Sequence, residues 1–212
     1  MLFVKGVANL TLLLKFSQIR TGQVRYFWGY INMMFNRPDP QRLKLVGPDR
    51  ACAEWVLRNG GKVVWENGKQ LADFNGLPAD NVPVPKVAVI DASESSISHY
   101  GFPHLSKYLS YLTKVILYKS SYIEDKALQG LAYGRSTLKE VVVSNVRDVS
   151  DNGVKQLENL ALLEKLTLHN LENVQNIKEC VGYLKAKLPK CEITENNLFF
   201  NGFPLSPPVS AA

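Results

Sequence analysis

The chain has 212 residues, 46% of them hydrophobic and 21% charged, with a formal net charge of +6. That length holds one ordinary domain, or a small domain with a short repeat array, and the composition excludes a disordered chain. The charge is not a nucleic-acid footprint: Lys5, Lys15, Arg20, Arg25 and Arg37 give residues 1–38 a charge of +5 before the first carboxylate, Asp39, which leaves +1 for everything after.

Residues 1–24 are apolar, dotted with Lys, Arg, Ser and Thr, and free of acids, the profile of a mitochondrial presequence. A secretory signal is the rival reading, because Val7 to Leu14 forms a short apolar run; Lys15 interrupts it and no small-x-small cleavage pattern follows at once. No stretch reaches the roughly 18 consecutive apolar residues of a membrane-spanning helix. The mature chain is therefore expected to be soluble or peripheral.

A helical N-terminal domain is expected over 25–61. Phe27, Tyr30, Ile31, Met34 and Phe35 recur at i, i+3, i+4, i+7 and i+8, one apolar face of a helix that Asn36-Arg-Pro-Asp-Pro40 ends. A second, short helix begins at Pro40 or Gln41, with Asp39 as N-cap. A third runs from Asp49 to Arg58, and Asn59-Gly60-Gly61 closes it, glycine being free to take the left-handed conformation of a helix C-terminus. Residues 62–86 are a hairpin and linker: Lys62–Trp65 and Gln70–Phe74 flank the Asn67-Gly68 turn signal, and Gly76, Pro78, Pro83 and Pro85 follow.

From residue 87 the chain nearly repeats itself. Ile97, Ile123 and Val149 are 26 apart, as are Phe102, Leu128 and Val154, and Leu105, Leu131 and Leu157. Each unit opens with an alternating strand (Val87–Ile90, Val115–Leu117, Val141–Val143, Leu166–Leu168) and continues into a short helix, with Asp125 and Asp151 placed as N-caps. A strand and a helix at this period form the leucine-rich-repeat pattern. The fold class is thus α/β: a small helical domain followed by a short leucine-rich-repeat solenoid over 87–194, about four and a half repeats. Residues 195–212, with Pro204, Pro207 and Pro208, read as a disordered tail.

The search for chemistry finds no phosphate loop, no HExxH and no nucleophile elbow. Cys52, Cys180 and Cys191 are odd in number and lack CxxC spacing, so buried free thiols in a reducing compartment are expected. His99 and His104 lie five apart, on different sides of any helix. Asp91, Glu94 and Ser93, Ser95 and Ser96 are either a cation site or ordinary polar residues of the turn after a strand. Of Trp28, Trp55 and Trp65, at least two are expected in the core. No catalytic residue is assigned.

The segments Arg25-Tyr-Phe-Trp-Gly29, Val46-Gly-Pro-Asp-Arg-Ala51, Ile90-Asp-Ala-Ser93 and Tyr122-Ile-Glu-Asp125 together resemble the mitochondrial ATP synthase subunit s (coupling factor B) family, over about residues 25–190. The resemblance implies peripheral attachment at the matrix side of the inner membrane and a non-catalytic role in coupled proton conduction through ATP synthase, blocking a proton leak. It also implies Mg²⁺, with the family's metal contacts falling on Gly60 and Ser93. One departure is clear: the family's Cys-x-Cys is replaced by Tyr118-Lys-Ser120, so a dithiol redox role is not expected. Tyr26, Phe27, Trp28 and Tyr30 of the first helix are the expected partner-binding residues. Two alternatives stay open, an assembly factor for the distal membrane arm of complex I and an F-box-like ubiquitin-ligase adaptor.

Overall fold

The computed structural model describes residues 27–106 and 108–196. The presequence reading, Arg25, Tyr26 and residues 197–212 of the expected tail lie outside the described residues; Glu195 and Asn196, placed in that tail from the sequence, instead end the last strand, paired to its neighbour.

Among the described residues three helices come first. Helix α1 covers residues 27–36, α2 is Pro40–Val46 and α3 is Pro48–Arg58. The Asp39 carboxylate accepts from the amides of Gln41 (2.8 Å) and Arg42, capping α2 as its side-chain chemistry dictates. Proline starts both α2 and α3, where a missing N–H costs nothing. Gly60 ends α3 with φ +80°. Gly61 then passes so close to Asp91 that a Cβ there would lie 2.9 Å from the Asp91 carbonyl oxygen. Only glycine lets the chain turn into β1 at that point.

Strands β1 (Lys62–Trp65) and β2 (Gln70–Leu71) form a hairpin, and β1 also pairs antiparallel with β3 (Val87–Asp91). Then β3, β4 (Lys114–Tyr118), β5 (Glu140–Ser144), β6 (Lys165–His169) and β7 (Glu192–Asn196) run parallel in chain order. The result is a seven-stranded, mostly parallel sheet ordered β2-β1-β3-β4-β5-β6-β7.

The sequence period is the period of the sheet. Ile90 sits beside Val115, Val115 beside Val141, Val141 beside Leu166 and Leu166 beside Ile193. Helices α4 (Asp125–Gly130), α5 (Asp151–Lys155) and α6 (Ile177–Lys187) follow the strands, and a 3-10 segment, His99–Leu105, takes the helical place after β3. The rows read from the sequence are buried: Ile97, Ile123 and Val149; Phe102, Leu128 and Val154; Leu105, Leu131 and Leu157 are all at most 1% exposed. Burial of such rows is the main favourable term holding neighbouring units together, since none covers its own apolar face. A contiguous core runs from Cys52 on α3 to Cys191 before β7.

One local reading changes, and one backbone feature is new. Asp125 and Asp151 are not N-caps; Glu124 and Ser150 occupy those positions. One residue further on, each carboxylate reaches across to the next unit. Asp125 accepts from the amide (2.7 Å) and hydroxyl (2.6 Å) of Ser150, and Asp151 accepts from the amides of Gln175 (3.0 Å) and Asn176 (2.9 Å). The neighbouring loop offers unpaired N–H groups there, which outcompete the carboxylate's own helix. Secondly, Glu94, Lys119, Asn145 and Asn170 all have φ between 47° and 54°. The first three donate their amides to the last carbonyls of the following strands, at Tyr118, Ser144 and His169 (2.7–3.1 Å). Short-range sequence patterns carry no sign of that rung-like arrangement.

Candidate docking surface

Helix α1 is amphipathic as its spacing predicts, but it is mounted the other way round. At about 100° per residue, Asn32 and Asn36 lie opposite the apolar stripe, and they are the buried pair. Asn36 is fully enclosed. Its Oδ1 accepts from the Trp55 indole N–H (3.0 Å) and the Ser98 amide (2.9 Å), and its Nδ2 donates to Asn59 Oδ1 (3.1 Å) and the Ser96 carbonyl (3.0 Å). Asn32 Nδ2 donates to the same Ser96 carbonyl at 2.7 Å. Asn59 Nδ2 in turn donates to the carbonyls of Phe35 and Trp55. The helix is therefore seated by a satisfied polar network, and its apolar side chains are left outside.

Phe27, Trp28, Tyr30, Met34 and Phe35 are each between 52% and 58% exposed, and Ile31 is half-buried. Phe27 and Trp28 pack edge to face, with ring centroids 5.8 Å apart. Single exposed apolar residues need no explanation, whereas a contiguous set on one helix face marks an interaction surface. Phe27 and Trp28 thus touch, Tyr30 lies one turn from Phe27, and all three are exposed. Trp55 and Trp65 are core residues, so the three tryptophans divide as the sequence suggested.

Below α1, charge fastens the linker. Glu54 is almost fully buried and receives Arg42 from α2 and Arg50 from its own helix, and both arginines also bind Asp80. Burial pushes the Glu54 carboxyl up, and the two guanidinium groups more than offset this, holding it below the usual carboxylate range. The Asp49 carboxylate ties down the far end of the linker by accepting from Lys86 Nζ and the Val87 amide, both at 2.9 Å.

Gly60 and Ser93 fall in one neighbourhood, because Lys62 pairs with Asp91 and the Asn59 carbonyl accepts from the Ser96 amide at 2.8 Å. Asp91 is the carboxylate there, with Oδ1 accepting from the Ser93 amide (2.9 Å). Among the described residues no group of three or more His, Cys, Asp or Glu could hold a metal. What the neighbourhood offers is main-chain carbonyls, a serine hydroxyl and one carboxylate. These hard oxygens suit Mg²⁺ that keeps several of its own waters.

The remaining candidates have packing roles. His104 stacks on the Trp55 ring (5.0 Å, 9° between planes), and burial, with Arg58 nearby, lowers its pKa to about 4. His99 Nδ1 meets Glu124 at 2.7 Å. His169 Nδ1 lies 3.3 Å from the Ser144 hydroxyl on the neighbouring strand. The three cysteines are buried and free, and burial raises their pKa, that of Cys180, beside Asp151, to about 11. None has the lowered pKa of a reactive thiol. Among the described residues no helix is long and apolar enough to cross a membrane.

No protein-family model matches the chain. It is similar to ATP synthase subunit s, mitochondrial, of Mus musculus, 38% identical over 176 residues that cover 81% of this chain and 88% of that protein. The Bos taurus protein of the same name is 36% identical over 173 residues (80% and 86%), and the Homo sapiens one 35% over 173 (80% and 86%). With identity at this level sustained over four-fifths of its length, the chain belongs to the mitochondrial ATP synthase subunit s family.

Proposed function

We propose that this chain is a non-catalytic accessory subunit of mitochondrial ATP synthase, held at the matrix side of the inner membrane and acting by binding. The observation that carries the reading is the outward apolar face of α1, Phe27, Trp28, Tyr30, Met34 and Phe35, in a chain whose relatives are named as a subunit of that complex. Its first surface of contact is that face. The strand and helix units after it form a short leucine-rich-repeat solenoid, which keeps α1 at a fixed place and offers a second surface. Docked there, the protein closes a proton leak and so supports coupled proton conduction. Gly60 and Ser93 hold Mg²⁺ through oxygen atoms as a structural contact between α3 and the first repeat.

The test is affinity purification of the tagged full-length chain from gently solubilised mitochondria, read by mass spectrometry. Enrichment of ATP synthase subunits is expected. Enrichment of complex I membrane-arm subunits instead, or absence of the chain from mitochondria, would overturn the reading.

A further inference from the structure

We propose that the groove beside α1 binds anionic phospholipid, so that the α1 end of the molecule rests on an acidic bilayer surface. The inference rests on the accessory-subunit reading for the presence of such a bilayer, and it names the ligand of that end of the molecule.

The groove, about 1360 Å³, lies between the end of α1 and the helical side of the first two repeats, and Met33, Arg37, Tyr108, Lys126, Tyr133 and Arg135 are among its walls. It is larger than the roughly 300–1,000 Å³ of ordinary small-molecule pockets, and it is open along its length. Among the described residues no Asp or Glu lines it. The carboxylates nearest in sequence to its walls are engaged elsewhere: Asp39 caps α2, Asp125 accepts from Ser150, and Glu124 meets His99.

Three cations, Arg37, Lys126 and Arg135, line the groove. Lys114, Lys119, Lys139, Arg147, Lys155 and Lys187 each face a carboxylate of a neighbouring unit. Arg37, Lys126 and Arg135 are exposed, and among the described residues their side chains have no hydrogen bond or ion pair. Lys165, Lys178, Lys185 and Lys190 also lack such a partner among the described residues, but they stand singly at the surface, whereas the three groove cations line one largely apolar trough. An anion from outside completes that arrangement.

The surroundings favour lipid over an acidic peptide. The groove is walled by helices and 3-10 turns, so an extended peptide finds no strand edge with which to pair its main chain. Its rim carries Tyr100, Tyr108 and Tyr133, 41%, 61% and 55% exposed, and it is continuous with α1, since Met33 and Arg37 neighbour Tyr30 and Met34 on the helix. Tyrosine and tryptophan side chains settle at membrane–water interfaces, and basic residues near them gain from acidic lipid. The groove cations meet lipid phosphates at the surface beside the face that α1 keeps for its protein partner.

The test uses the full chain and sedimentation with vesicles of phosphatidylcholine alone or of phosphatidylcholine with phosphatidylglycerol. Binding is expected to the acidic vesicles only and to fade as salt rises from about 0.1 M to about 1 M, where the screening length shrinks to about 3 Å. The variant Arg37→Gln/Lys126→Gln/Arg135→Gln should partition on the order of 100-fold less. A matched variant of exposed lysines at the far end, Lys178→Gln/Lys185→Gln/Lys190→Gln, should bind as the parent does. The cations of residues 1–26 are common to all forms, so the differences report on the groove. Equal binding to neutral vesicles, or undiminished binding by the groove variant, overturns the proposal. So does a groove variant that loses ATP synthase subunits in purification while no form binds vesicles, which would assign the groove to an acidic protein segment. Vesicle binding by a chain that purifies without ATP synthase would support lipid binding and overturn the accessory reading; the reverse pattern would do the opposite.

Discussion

Helix α1 and the repeat array are built from the same kinds of residue and use them in opposite directions. In the array, apolar side chains point in, and carboxylates such as Asp125 and Asp151 stitch neighbouring units at the surface. In α1 the asparagines point in, and the aromatic and aliphatic side chains point out. Apolar packing is cumulative and tolerant, whereas a buried amide that makes five hydrogen bonds, as Asn36 does, is specific to one seat. The array is thus equipped to fold by its own burial. The helix is equipped to be held in one orientation while its apolar area is kept for a partner.

Breaking the array should cost most. Phe102 is fully buried between Trp55, ring centroids 6.2 Å apart, and Gly130, whose added Cβ would come within 2.9 Å of it. Phe102→Ala should lower stability by about 4 kcal/mol, measured by urea unfolding. A loss under about 1 kcal/mol would mean that the first repeat is not part of the continuous core.

The polar seat comes next. Asn36→Ala removes the acceptor for the Trp55 indole and the Ser98 amide, leaving both donors buried, and should cost about 3 kcal/mol. The same variant should also free α1, seen as faster amide exchange over residues 27–36. If exchange there is unchanged, something other than the asparagine network holds the helix.

Beside that seat lies a pH effect with a definite sign. The folded state holds His104 neutral, with a pKa near 4, against its ordinary value of 6.5. Its contribution is therefore fully present above pH 6.5 and is lost as pH falls toward 4, by about 3 kcal/mol. Glu54, Asp80 and Asp151 are held below their ordinary values by arginines or backbone amides, and their contributions fade only at lower pH. His104→Gln should flatten stability between pH 6.5 and 4. A slope that persists in that variant would place the titrating group elsewhere.

The smallest effect on stability is expected where the functional effect is largest. Phe27→Ser/Trp28→Ser alters exposed side chains, so unfolding free energy should move by no more than about 0.5 kcal/mol. A larger loss would mean that the face packs within the protein and is not kept for a partner.

The 26-residue period was legible because apolar residues recur wherever a stacked unit must bury one face, and strand register followed from it. The left-handed residues after the strands were not legible, because Glu94 and Lys119 share nothing with Asn145 and Asn170 in side-chain chemistry; what they share is a backbone position fixed by the next strand. The stripe Phe27, Tyr30, Ile31, Met34, Phe35 gave the helix but not its direction, since inward and outward apolar faces have the same spacing. The direction lies in Asn32 and Asn36, one turn apart, and in the distant partners Ser96, Ser98 and Asn59, which only the fold brings to them. The basic groove was hidden for a similar reason: Arg37, Lys126 and Arg135 are up to 98 positions apart in the chain.

The most direct test of the central claim compares affinity purification of the full-length chain and its Phe27→Ser/Trp28→Ser variant from mitochondria, quantified for ATP synthase subunits. Strong enrichment with the parent chain and loss with the equally stable variant is the expected result. Equal enrichment with both would contradict docking through the outward face of α1.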